Sequence, residues 1–202
     1  MFFVDQTIKF IESAIHDSKT ELVSNYLEEL SDYEQFNILD IYPYQILDND
    51  KFEQIEIFFD KLTEEDFSRK TEDYLLYNSK LKSFERVIQH LWLINDKFYV
   101  FYNNEYNILS TSCDTLAHKI YREEIENIKS LGCDETNLKE VREYSSLVSL
   151  VRLAVAERLS LFFILINQKI IIQSNGLSFI IYSDQKLDDI EKIANVEGLY
   201  IR

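Results

Sequence analysis

Three glycines and one proline in 202 residues leave this chain few places at which to turn sharply or run loose. Most of its length must therefore lie in regular elements joined by short connections. With 46% hydrophobic residues, among them 14 Phe and 13 Tyr, it can bury a sizeable core. The same scarcity removes whole classes of function. With glycine only at positions 132, 176 and 198, neither a phosphate-binding P-loop nor a dinucleotide fingerprint can be written.

The hydrophobic period divides the chain. Ahead of residue 86 it is helical. Asp5 is expected to cap a helix with Ile8, Ile11 and Ile15 on its inner face, and Ser18 with Glu21 to open a second carrying Val23, Tyr26, Leu27 and Leu30. Residues 38–47, with Pro43 between two tyrosines, read as a loop. Asp50 with Glu53 repeats the capping pattern ahead of Phe52, Ile55, Phe59 and Leu62. Thr63 then caps a segment bearing Tyr74, Tyr77, Leu81 and Phe84.

Beyond residue 86 the pattern turns to strands. Leu91–Ile94, Phe98–Tyr102 and Tyr106–Leu109, separated by turns at Asn95-Asp96 and Asn103-Asn104, form a three-stranded meander. A helix capped by Ser112 or Asp114 and stopped by Gly132 follows, with Leu116, Ile120, Ile125 and Ile128 inward. A long buried helix is expected from about Glu135 to Arg158. Strands Leu161–Ile166, Lys169–Gln173 and Leu177–Tyr182 then form a second meander, with a type I′ turn at Asn175-Gly176, before a last helix and a short strand. The fold expected is α+β: a helical N-terminal part, then two antiparallel three-stranded meanders, each with a following helix, packed around the long buried helix.

Residues 1–86 form an acidic, mainly helical module and residues 87–202 an α+β module, the two packed as one body. Leu91–Lys97 aligns with Phe163–Lys169 at an offset of 72, which suggests a βββα duplication over 87–132 and 159–202; convergent hairpin chemistry is the plainer explanation.

The sequence begins MFFVDQTIKF, with Asp5 too early for an apolar signal region, so a cytoplasmic setting is expected. The most membrane-like stretch, Leu147–Ile166, holds Arg152, Glu157 and Arg158, each costing about 2.5–3.5 kcal/mol at a bilayer centre. Two cysteines, Cys113 and Cys133, are too few for a disulfide scaffold. With His118 they lack the closely spaced pairs of a structural zinc site, so neither metal nor cofactor is expected. Nucleophilic catalysis has no supporting motif. Asp184-Gln185-Lys186 faintly resembles the carboxylate and lysine of some metal-dependent nucleases, yet its position between a strand and a helix reads as an N-cap.

A net charge of −15 argues against direct binding of nucleic acid and for a basic partner. Residues 1–80 hold 19 Asp and Glu against 7 Lys and Arg, net −12, so the acidity belongs to the first module. Within it Asp48, Asp50, Glu56, Asp60, Glu64, Glu65, Asp66, Glu72 and Asp73 lie among Tyr42, Tyr44, Tyr74 and Tyr77. Carboxylates steer a cationic partner while tyrosines supply contact area at small entropic cost, although acidic first turns also oppose the helix dipole and need no partner.

In composition the chain resembles bacterial immunity proteins and phage-encoded inhibitors. That resemblance implies a stoichiometric binding protein that neutralises a toxin or a nucleic-acid-processing enzyme. The other readings are an enzyme of unfamiliar type with a site between the meanders and the long helix, or a regulatory or scaffolding subunit, which could pair as a homodimer through meander edges.

Overall fold

A computed structural model describes residues 3–55, 57–102, 115–130 and 138–202. Helix α1 (Phe3–His16) buries Val4, Ile8, Ile11 and Ala14 on one stripe. Ser18 then turns left-handed, with φ 57°, and the amides of Ser18 and Lys19 return to the carbonyls of Ile15 and Ala14. Ser18 therefore closes α1 and does not open α2 (Val23–Glu28), which follows a 3₁₀ turn at Thr20–Leu22.

Residues 37–40, expected within or beside a loop, form strand β1 (Asn37–Asp40). Four residues give no readable alternation. They become a strand because both ladder partners arrive from the far end of the chain. The strand ends at Asp40, three residues before Pro43.

Helix α3 (Asn49–Ile55) is capped by Asp48, which accepts the amide of Lys51 at 3.1 Å, and not by Asp50. A 3₁₀ turn at Phe59–Lys61 leads to α4 (Glu64–Arg69), opened by the expected Thr63 in a full capping box with Asp66. Lys70, at φ 51°, breaks the segment expected to run from Thr63 through Phe84, so Thr71 and not Thr63 caps α5 (Glu72–Leu93), which carries Tyr74, Tyr77, Leu81 and Phe84.

Helix α5 takes up Leu91–Leu93, the start of the expected first meander. Leu91 extends the buried stripe of Leu81, Phe84, Val87 and Ile88, and the Trp92 indole donates to the carbonyl of Val141 at 2.8 Å, so the helix persists. Where Leu91–Leu93 is helical, the aligned Phe163–Leu165 is strand.

Strand β2 (Phe98–Tyr102) forms as expected. The strand at Tyr106–Leu109, the turn at Asn103-Asn104, the caps at Ser112 and Asp114, Gly132 and both cysteines fall outside the described residues. Helices α6 (Leu116–Ile120) and α7 (Arg122–Ser130) divide at Tyr121 what was read as one helix. Strand β3 (Leu138–Glu140) occupies the start of the expected long helix, whose helical part is α8 (Tyr144–Val155).

Strands β4 (Leu161–Leu165), β5 (Ile170–Gln173) and β6 (Ser178–Ser183), helix α9 (Asp188–Val196) and strand β7 (Tyr200–Ile201) complete the described elements. Asp184 does not cap α9. Its carboxylate accepts the amide of Asp5 at 2.7 Å and the hydroxyl of Tyr33 at 3.2 Å, capping α1 from the other end of the sequence.

The seven strands make one antiparallel sheet in the order β3-β2-β4-β5-β6-β1-β7. Both faces are covered. Phe163, Phe179 and Ile181 pack toward α5 and α8, whereas Ile164, Ile171 and Tyr182 pack toward α1 and α2. A strand buried on both sides reads as a continuous apolar run, which is the pattern of Leu161-Phe162-Phe163-Ile164-Leu165.

Candidate functional site

The chain leaving β1 toward α3 builds a cleft of about 420 Å³. Asp40, 6% exposed, fixes its floor: one carboxylate oxygen accepts the amide of Tyr42 at 3.1 Å, and the other accepts Arg202 Nε and Nη2 at 3.1 and 2.6 Å. The hydroxyl of Tyr42 donates to the carbonyl of Ile55 at 3.4 Å, which ties the segment to the end of α3.

Three aromatic rings form the wall. Tyr42 and Phe52 meet edge-to-face at 6.3 Å and 75°, and Phe52 and Phe58 at 6.2 Å and 75°. Tyr44, 80% exposed, stands among the lining residues. The opposite side is the β5–β6 turn, in which the amide of Ser178 bonds the carbonyl of Asn175 at 3.0 Å. Only Gly176 has positive φ there, 59°, so the turn is not the expected type I′, which needs positive φ at both central residues.

A second cleft of about 410 Å³ shares Ile57 and Phe58 with the first and is bounded by Glu53, Ile55, Asp73 and Leu76. The two hollows thus lie on either side of one short segment. The exposed Ile55 and Leu76 line the second cleft with exposed Glu53, Asp73 and Lys61, and Leu47, Asp50, Glu72 and Leu75, close by in sequence, are exposed as well.

The thirteen side chains expected to contact a partner separate into groups. Tyr77 is not at the surface: it is 1% exposed, and its hydroxyl meets that of Tyr121 at 3.1 Å. Burial, then the neighbouring Tyr121, pushes its phenol far above the ordinary tyrosine range. The reason lies in helical phase, because Tyr77 shares the stripe of Leu81 and Phe84. Tyr74 is half-buried with its ring against Phe67.

Asp66 is committed to local structure. It accepts the backbone and hydroxyl of Thr63, each at 2.7 Å, and the hydroxyl of Thr71 at 2.7 Å, and these bonds hold its carboxyl below the usual aspartate range. Asp48 caps α3 and pairs with Lys51 at 3.0 Å, and is lowered likewise. Asp60 pairs with Arg158, Glu64 with Lys119 at 2.9 Å and Glu65 with Arg69 at 2.7 Å. Glu56 lies outside the described residues. Asp50, Glu72 and Asp73 are exposed, Asp73 in the lining of the second cleft, and Tyr42 and Tyr44 line the first. Glu53, which had been read only as a capping residue, joins them.

Sequence reasoning missed Phe52 and Phe58 as site residues, since aromatic side chains in an amphipathic pattern read as core. It also missed Asp40, Glu157 and Arg202, which come from three distant parts of the chain.

Elsewhere, the carboxylate of Asp184 is engaged with α1, as described above, and His118 Nδ1 lies 2.8 Å from the Thr115 hydroxyl. Among the described residues no group of three or more His, Cys, Asp or Glu side chains is arranged to hold a metal ion, and no helix is long and apolar enough to cross a membrane. Comparison with protein-family models, with curated proteins and with solved structures finds no match.

Proposed function

We propose that this chain is a stoichiometric binding protein that neutralises a basic protein partner, acting in the cytoplasm in the manner of an immunity protein or a phage-type inhibitor of a nucleic-acid-processing enzyme. One observation carries the reading: two adjoining clefts carry exposed aromatic and apolar side chains, Tyr44, Ile55 and Leu76, beside the exposed carboxylates Glu53 and Asp73, with Asp50 and Glu72 exposed in the adjacent sequence. An apolar, aromatic centre with a charged rim is the anatomy of a protein interface. The net charge of −15 supplies long-range attraction to a cationic surface, and occupying that surface is itself the inhibitory act.

The test is capture of partners by the immobilised chain, compared with Asp50→Lys, Glu53→Lys, Asp73→Lys in combination. A basic protein should be retained in equimolar amount at low salt, lose its activity when bound, and associate at least about tenfold more slowly with the triple variant. Reversing Asp188, Asp189 and Glu191 on α9 serves as the control for charge alone. Equal association rates for the two triple variants would sink this surface.

A further inference from the structure

The first cleft is lined by Glu157, whose side chain is exposed. Glu157 occupies the residue after the C-cap of α8 with φ 57°, a conformation that glycine adopts without strain and other residues do not. The amides of Glu157 and Arg158 return to the carbonyls of Ala154 and Leu153 at 3.0 and 2.8 Å, a closure that uses the backbone alone.

The Glu157 side chain crosses instead to the β5–β6 turn, so close that a Cβ at Gly176 would lie 2.3 Å from its Oε1. Its own backbone is strained there, and Gly176, which its φ of 59° favours in any case, leaves room for the carboxylate. Asp40 and Arg202, the other charged lining groups, neutralise each other. The unbalanced charge of the cleft is therefore the single carboxylate of Glu157.

Tyr42, Phe52 and Phe58 line the same cleft, with successive rings inclined at 75°. Aromatic rings in one wall attract a cation through their quadrupoles wherever it reaches a π face. A volume of about 420 Å³ takes a whole flexible side chain. A neutral anchor would bury Glu157 unpaired, and an anion would be repelled by it.

We infer that this cleft is an aromatic cage for an alkylammonium group, the lysine side chain of the partner, methylated or not, with Glu157 as its counter-charge. The partner as source of the cation rests on the function proposed above; the cage itself rests on the geometry of these residues.

The test uses the full chain and three short peptides that differ only in a central lysine, trimethyllysine or Nε-acetyllysine, followed by NMR shifts of Tyr42, Phe52 and Phe58. The charged peptides should bind saturably and at least about tenfold more tightly than the neutral one. Glu157→Gln, checked for a native spectrum, should remove most of that advantage. The tighter of the two charged peptides identifies the source. Equal binding of acetyllysine, indifference to Glu157→Gln, or no saturation with any peptide overturns the cage. Those results leave the partner-capture experiment untouched, so the cage can fail while the acidic face stands, and the reverse.

Discussion

Glu157 is the residue at which local preference and position disagree most plainly. A side chain with a Cβ held at φ 57° carries strain of about 1–2 kcal/mol, and glycine relieves it. Glycine also gains freedom in the unfolded chain, which offsets part of that relief. Glu157→Gly is therefore expected to stabilise the fold by about 1 kcal/mol in urea unfolding while abolishing ammonium binding. Stability and recognition should move in opposite directions, the sign of a residue kept for its carboxylate; a loss of stability would show that Glu157 supports the turn instead. Such a role could not be read from the sequence. The local string Val155-Ala156-Glu157-Arg158 gives no sign that Gly176 lies against the carboxylate.

At the scale of elements, Arg152 of α8 binds Glu85 of α5 through Nε at 2.7 Å and Glu124 of α7 through Nη1 at 2.5 Å, while Lys82 also reaches Glu85 at 2.5 Å. Burial opposes the charge of Arg152, but the two carboxylates outweigh it and hold the guanidinium still more firmly protonated. Both glutamates are buried, so Arg152→Met should cost about 3 kcal/mol, read as a fall in the urea midpoint, because it leaves buried carboxylates without their principal partner. A loss below about 1 kcal/mol would mean that the cluster is solvated in solution.

Strands β4, β5 and β6 were legible because apolar β-branched and aromatic runs are bounded by turn residues, and Thr63 was legible because a capping box is local. Leu91–Leu93 was not: a short apolar run suits either state, and only packing of the preceding stripe and the Trp92 bond decide for helix. The capping of α1 by Asp184 spans 179 residues and leaves no local trace. The acidic surface was legible as charge, but its composition was not. Burial of Tyr77 and the capping duty of Asp66 depend on helical phase and on a turn whose geometry is set by Lys70.

For the whole molecule, the sheet is closed by its first strand in sequence. Strand β1 lies between β6 and β7, pairing Leu39 with Phe179 on one side and Ile201 on the other. The mainly helical first part of the chain thus contributes the strand next to the β7 edge of the sheet, which composition and period along the chain could not disclose. It also shapes the candidate site, because β1 ends in Asp40 and leads into the aromatic wall.

That placement has a consequence during assembly. Until β1 inserts, β6 presents a bare apolar edge, Phe179-Ile180-Ile181-Tyr182, and closing the gap requires contacts separated by about 140 positions, which form slowly. A neighbouring copy's β1 satisfies the same hydrogen bonds. Refolding from denaturant at high concentration should therefore yield strand-exchanged dimers that separate from monomer on a sizing column and decline on dilution before refolding. The strand that shapes the floor of the cage is also the one two copies can trade, so each exchanged dimer would carry two cages, each built from both chains.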